Sequence, residues 1–326
     1  MLFGFSVVIM DSMIIRFRGV RGSYSRSLRP HDLKRKISSV LQRVKPEDLV
    51  SPESKERFLH TLPDMIFGTV GGHTSCVEIR LDDNALLIFD CGSGLRALDE
   101  DMKRIREKPP VIHVFFSHFH YDHLSGLPYF SYLFDPEMQF RFYSPQKGFK
   151  GILQRFLSKP FHPVGLESFS ATIDFVELSG ESIAVGRGVV SWIERNHPDE
   201  CYAYSVEENG KRVIYSTDTE LTDSDFLNIG ETSAFFKKAD AIILDAQYTL
   251  GESIEKYNWG HTSYSMSVDF ALEHEIGTLF LFHHDPQYDD GKLEDILRLS
   301  RWYCERAARN HPLKVELARE DSEVRF

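Results

Sequence analysis

Short apolar runs recur along the chain, and many of them end in a residue able to hold a metal ion or a proton. Val111-Ile112-His113-Val114-Phe115-Phe116 is rich in β-branched and aromatic side chains, as a buried strand requires. Ile14-Ile15-Arg16-Phe17 reads the same way and ends in the turn-prone Gly19-Val20-Arg21-Gly22-Ser23. Val77 to Leu81 and Ala85 to Asp90 predict a hairpin around Asp82-Asp83-Asn84, and Cys201 to Val206 with Lys211 to Ser216 predict another about Glu208-Asn209-Gly210. Met138 to Pro145, Val189 to Ile193, Ala241 to Leu244, Thr278 to Phe282 and Leu313 to Leu317 complete the strand-like runs.

Helical spacing fills the intervals at Leu95 to Arg106, Gly148 to Leu157, Ser265 to His274 and Asp289 to Ala308. Asp32 to Val44 places Leu33, Ile37, Val40, Leu41 and Val44 three and four residues apart, and Ser51-Pro52-Glu53 starts a second short helix. Strand-rich halves followed by helices predict an α/β fold of two sheets sandwiched between helices. No short-period repeat or low-complexity segment interrupts the pattern.

Composition narrows the class. With 326 residues, 42% of them hydrophobic and 27% charged, the chain has the make-up of a globular protein with a substantial core. A net charge of −11 argues against an extended nucleic-acid footprint, which needs a basic surface. Cys76, Cys91, Cys201 and Cys304 form no Cys-x-x-Cys pair, which fits free thiols in a reducing cytoplasm. The apolar start Met1 to Met10 lacks a basic region and is too short to span a bilayer, so neither a leader nor a membrane anchor is expected.

One basic stretch stands apart. Arg26, Arg29, Lys34, Arg35, Lys36, Arg43 and Lys45 face a single acid, Asp32, between Ser25 and Lys45. The segment reads either as a solvated helix face or as a lid or dimerisation arm that offers positive charge to an anionic substrate.

The densest chemistry lies in Ser117-His118-Phe119-His120-Tyr121-Asp122-His123-Leu124-Ser125-Gly126, directly after the 111–116 strand. Imidazole and carboxylate are the ligand types of a zinc-like catalytic site, and a loop at the C-terminal end of a strand is where α/β folds place their chemistry. The His-x-His-x-Asp-His pattern resembles the metallo-β-lactamase superfamily. Arg18 to Ser23, Gly71 to Glu78, Phe89 to Arg96, Tyr215 to Thr219 and Phe282-His283-His284-Asp285-Pro286 follow in the order that fold uses. Together they are similar to the phosphodiesterase-like branch related to ribonuclease Z and the bacterial cyclic-nucleotide phosphodiesterases, over about Ile14 to Asp290.

The resemblance implies a four-layer αββα sandwich in a single domain over 1–326, with a helical insertion at about 29–66. It implies a dinuclear site in which His118, His120 and His197 bind one divalent ion, Asp122, His123 and His283 bind the other, and Asp218 bridges them. Zinc is expected first, with manganese or iron as alternatives. Metal-bound hydroxide is then the nucleophile, and Asp122 is expected to take a catalytic part as well as a ligand's. His283 and His284 compete for one ligand position, since adjacent strand residues point to opposite faces; the resemblance to the Thr-His-Phe-Ser pattern of the ribonuclease Z branch makes His283 the ligand and leaves His284 to support the site from behind. Asp90 is either an Asx-turn former or a carboxylate that supports the metal site from behind. Asp285 stays open between such a support and a turn residue.

Asp245 and His261 resemble the acid–histidine pair with which phosphodiesterase relatives assist the leaving alkoxide; His261 reads alternatively as the cap of the helix near Ser265. Only one hairpin separates His197 from Asp218, which leaves no room for the tRNA-gripping arm of ribonuclease Z. The expectation is therefore a cytoplasmic phosphodiesterase, possible as a homodimer, acting on a small phosphodiester such as a cyclic nucleotide. Hydrolysis of a lactone, thioester or carboxylic ester is the second reading, and nucleotide binding without catalysis the third.

Overall fold

A computed structural model describes residues 13–104, 108–227, 230–308 and 312–326. The reading of Met1 to Met10 as neither a leader nor an anchor lies outside these residues, and so does the Arg106 end of the helix expected from Leu95.

Two seven-stranded sheets face each other. The first runs β14 (Glu323–Arg325), β1 (Ile14–Gly19), β2 (Cys76–Arg80), β3 (Leu86–Phe89), β4 (Ile112–Phe115), β5 (Gln139–Ser144), β6 (Thr172–Glu177). The second runs β13 (Lys314–Leu317), β12 (Thr278–Phe282), β11 (Ala241–Asp245), β10 (Lys211–Ser216), β9 (Cys201–Glu208), β8 (Gly188–Arg195), β7 (Ser182–Val185). Each sheet is antiparallel at one end and parallel at the other: β3 through β6 pair in parallel, and so do β10 through β13. The four-layer α/β sandwich expected from the motifs is the observed architecture.

The inner strands carry apolar residues on both faces, which is why they read as continuous runs rather than alternating ones. In β3, Leu87 and Phe89 join the main core while Leu86 and Ile88 join a second one on the outer face. Aromatic rings knit the sheets together: Phe17 packs on Phe280 with centroids 5.2 Å apart, Phe89 on Tyr215 at 5.5 Å, and Phe115 on Tyr204 at 5.4 Å. Such contacts add to the burial of large apolar side chains, the dominant stabilising term.

Helices cover the outer faces. The 30–67 segment forms α1 (Pro30–Leu41), α2 (Pro52–Thr61) and α3 (Asp64–Phe67), with Ser51 capping α2 by accepting from the Ser54 N–H. Next come α4 (Leu95–Met102), α5 (Tyr121–Leu124) and α6 (Phe149–Phe156), whose Leu98, Leu124 and Leu153 pack into the second core. After them come α7 (Gly230–Phe236), α8 (Leu250–Glu255), α9 (Tyr264–Glu273) and α10 (Asp290–Ala307). No helix among the described residues is long and apolar enough to cross a membrane.

The structure departs from the sequence reading in two places. Strands β6, β7 and β14 and helices α3, α5, α7 and α8 were not marked by the apolar pattern, because most of these segments are short and partly exposed. The apolar stripe of α1 faces outward, with Leu33, Ile37 and Leu41 all exposed. The polar side of the same segment turns inward instead. Lys36 reaches Asp290 at 2.8 Å, Arg35 reaches Asp289 at 2.8 Å, and buried Asp32 receives Arg26 and Arg35, each at 3.3 Å. Three of the seven basic residues thus anchor the segment to itself and to the start of α10.

Candidate metal centre

The site forms where strands of both sheets end, most of them from the parallel halves and β8 from the antiparallel half of the second sheet. β4 delivers Ser117 to His123, β8 delivers His197, β10 delivers Asp218, β11 ends on Asp245, and β12 delivers His283. Three of the residues that turn the chain there are non-glycine residues with left-handed backbones: Asp90 at φ 59°, Asp218 at φ 45° and His283 at φ 59°. Such conformations are uncommon outside glycine and gather where the surrounding fold holds a functional side chain in place.

The sequence candidates converge. His118, His120, His197 and Asp218 form one group whose ligand atoms lie within 4.8 Å of one another; Asp122, His123 and His283 form a second, and Asp218, His261 and His283 a third. Asp218 sits among them all, with an oxygen 3.2 Å from His123 Nε2, 3.1 Å from His283 Nε2 and 3.7 Å from His118 Nε2. Asp122 Oδ2 lies 3.3 Å from both His123 Nε2 and His283 Nε2. His118 Nε2 and His123 Nε2 are fully buried and have no hydrogen-bond partner. Orphaned imidazole nitrogens beside carboxylates are what a divalent cation would satisfy, so the donor set fits metal binding.

Electrostatics reflect the crowding. Burial pushes His118 well below its usual range, assisted by the neighbouring His123. Burial would also depress His283, yet Asp218, Asp122 and Asp245 raise it to about 10. Asp218 itself is held well below the ordinary carboxylate value: burial opposes this, but His283, His123 and His118 prevail. Carboxylate charge this concentrated draws positive charge onto the rings, the role divalent ions fill in such sites.

Supporting groups fix the ring orientations. Asp90 is fully buried and accepts from the Ser117 N–H at 2.8 Å, the Ser117 hydroxyl at 2.6 Å, His123 Nδ1 at 2.8 Å and the Tyr215 hydroxyl at 2.7 Å. The Ser23 N–H donates to Asp122 at 2.8 Å, bringing the 19–23 turn onto the centre. The neighbouring histidines separate: His283 enters the cluster, whereas His284 points its Nε2 at the Ala318 carbonyl, 3.0 Å away. Asp285 lies away from the cluster, with its side chain accepting from the Gln287 N–H at 2.7 Å.

His261 Nδ1 lies 2.8 Å from Asp245 Oδ2, and its ring stands 4.9 Å from that of His283 and 6.2 Å from that of His197. Ser263, not His261, caps α9 by accepting from the Met266 N–H, so the capping reading of His261 is set aside. Asp245 also approaches His283 Nδ1 at 3.4 Å.

Several contributors escaped the sequence reading. Asp199 accepts from His120 Nε2 at 2.7 Å. Glu220 accepts from the Asn258 and Gly260 N–H groups at 2.9 and 3.0 Å, pinning the loop that carries His261. Tyr215 and Ser117 hold Asp90. Their signals were weak for different reasons: Asp199 is one carboxylate in an acidic chain, and a strand tyrosine reads as core.

A family model described as the beta-lactamase superfamily domain matches residues 86–284, more than half of the chain. The chain belongs to the beta-lactamase superfamily. Within that superfamily it is a metal-dependent hydrolase of the metallo-β-lactamase type, as its motifs implied. Ribonuclease BN of Escherichia coli O1:K1 is 23% identical over 275 residues, spanning 67% of this chain and 84% of its own. Among solved structures, Zn2+-bound PqqB from Methylobacterium extorquens superposes with a TM-score of 0.63 at 13% identity, covering 96% of this chain and 100% of its own. Unliganded yeast PDE1 does so with a TM-score of 0.62 at 12% identity, covering 97% and 100%. These structural likenesses concern the fold.

Proposed function

We propose that the chain is a dinuclear metal-dependent phosphodiesterase acting on a small phosphodiester such as a cyclic nucleotide. The observation that carries this reading is the Asp245–His261 pair, 2.8 Å apart at the edge of the candidate metal centre. His118, His120 and His197 would hold one divalent ion, Asp122, His123 and His283 the other, with Asp218 shared between them. Zinc is the expected metal on ligand chemistry, and PqqB supplies a zinc-bound relative in fold. Such ions, when bound, polarise the phosphoryl group and make water acidic enough to attack it.

The chain's own residues complete the chemistry. The Asp245 carboxylate accepts the Nδ1 proton of His261, which fixes the tautomer and leaves Nε2 to carry the proton given to the departing oxygen. An alkoxide leaving group needs that proton, whereas the activated carbonyl of a lactone or thioester needs it less. Ribonuclease BN, by its name, cleaves RNA; here, only the β9–β10 hairpin separates His197 from Asp218, and the net charge is −11. Both features favour a small substrate over a folded RNA.

The test compares a diester with an alkoxide leaving group, such as a 2′,3′-cyclic nucleotide, with a p-nitrophenyl carboxylic ester, using metal-quantified protein. Diester cleavage that falls in both His120→Ala and His261→Ala supports the proposal. Turnover of the carboxylic ester alone, indifferent to His261, replaces it with the esterase reading.

A further inference from the structure

A cavity of about 860 Å³ opens beside the metal centre, within the range of small-molecule sites. It shares a wall with the ligand loop: Tyr121, between His120 and Asp122, lines it, and so does Tyr24, next to the Ser23 whose N–H holds Asp122. None of the candidate metal ligands lines it, so it is a separate compartment on the flank of the site.

Two features of its lining stand out. The rim is aromatic and uncovered: Tyr24 is 56% exposed, Tyr121 70% and Tyr129 74%, far above what a packed tyrosine shows. The floor is a cluster of hydroxyls around one atom. Ser93 Oγ lies 3.0 Å from Ser25 Oγ, 3.2 Å from His73 Nδ1 and 3.4 Å from Thr74 Oγ1, and it accepts from the Thr74 N–H at 2.9 Å. Thr74 Oγ1 continues the chain to Ser125 Oγ at 3.4 Å. Burial, with Arg96 nearby, lowers the basicity of His73 and keeps the ring neutral, able both to donate and to accept.

The charges of the wall decide the ligand class. Its cations are already matched: Arg96 with Glu100 at 3.2 Å, Lys103 with Asp99 at 2.5 Å, Arg21 with Asp290 at 3.9 Å, and Arg26 with Asp32 at 3.3 Å. A polyanionic strand finds no unmatched positive track here, whereas a neutral group rich in hydroxyls finds exchangeable donors and acceptors.

We propose that this cavity is a nucleoside subsite, in which an aromatic base rests against Tyr24 and Tyr121 and ribose hydroxyls reach Ser25, Ser93 and His73. The proposal rests on the phosphodiesterase reading for its placement, since the scissile phosphate would lie at the metal centre while the nucleoside extends along the shared wall. Base–aromatic contact supplies affinity without sequence choice, and the hydroxyl cluster distinguishes a ribosyl group from an alkyl one.

Two measurements on the metal-loaded protein test it. The first compares adenosine 5′-(p-nitrophenyl phosphate) with methyl p-nitrophenyl phosphate, which share a leaving group. The wild type should prefer the nucleoside ester in kcat/KM, and Tyr24→Ala and Ser25→Val should each reduce that preference by roughly three- to tenfold, mainly through KM. Equal use of the two esters, or variants that slow both alike, overturns the subsite. The second is calorimetric titration with adenosine, which needs no turnover. Saturable binding weakened in Tyr24→Ala upholds the subsite even where neither ester is cleaved, an outcome that would sink the phosphodiesterase reading alone. No binding to the wild type overturns the subsite whatever the enzyme hydrolyses.

Discussion

Asp90 Oδ2 stands 2.8 Å from His123 Nδ1, and both side chains are completely buried. A carboxylate can only accept, so His123 carries its proton on Nδ1 and presents Nε2 to Asp122 and Asp218. Asp90 therefore sets which nitrogen of His123 is free for a metal ion. Its left-handed backbone, at the end of β3, lets the carboxylate reach under β4 and meet Ser117 and Tyr215 as well.

Replacing Asp90 should weaken metal binding at the position served by His123. For Asp90→Asn, divalent-ion affinity is expected to fall about 10- to 100-fold, since the amide can meet only some of the four donors. Competition against a chromophoric chelator measures this directly. Unchanged metal affinity would show that His123 is oriented by packing alone.

The Asp245–His261 pair predicts a dependence on the leaving group. His261→Ala should lower kcat on a diester with an alkoxide leaving group by about 10²- to 10⁴-fold. On bis-p-nitrophenyl phosphate the loss should be far smaller, because p-nitrophenolate departs without a proton. Asp245→Asn should follow the same pattern more mildly. A loss of equal size on both diesters would assign His261 to metal binding, in keeping with its place beside Asp218 and His283.

Residues that meet in the centre were visible in the sequence where chemistry and position coincided. The 118–123 loop follows a strand of almost unbroken apolar character, and His283 follows another, so strand ends and ligand types marked the same places. Asp245 was reachable for the same reason, being the last residue of β11. The supports were harder to see, because Tyr215 and Ser117 differ in no way from core or turn residues until the sheets are packed. The α1 stripe misled in the opposite direction. Its spacing fits a buried face, but the inward contacts of that segment are ionic, and periodicity does not register partners such as Asp289 and Asp290 that lie 254 residues away along the chain.

Gly260 predicts a steric route to the same site. Its backbone is left-handed, at φ 84°, and a Cβ there would press into the His197 ring and Pro198. Gly260→Ala should displace His197 or the loop carrying His261, lowering metal occupancy at the His118–His120–His197 position and reducing activity at least tenfold. Metal stoichiometry alongside kcat separates the two routes, since a shift of His261 alone would leave the metal content unchanged. A variant with wild-type occupancy and rate would show that the loop yields easily.

Glu320 predicts how stability changes with pH. Burial lifts its carboxyl from the ordinary 4.5 to about 7, against the N–H groups of His73 and Gly72 that favour the charged form. The folded chain thus keeps a proton between pH 4.5 and about 7 that the unfolded chain has released, so stability falls as pH rises through that window. The cost above the window is of order 1–3 kcal/mol. Glu320→Gln retains an acceptor for the His73 N–H, which reaches Glu320 Oε1 at 2.5 Å, and removes the ionisation. Thermal unfolding at pH 5 and pH 8 should therefore place the wild type's Tm progressively below that of the variant as pH rises. A constant difference between the two across the range would mean that Glu320 ionises normally in the folded protein.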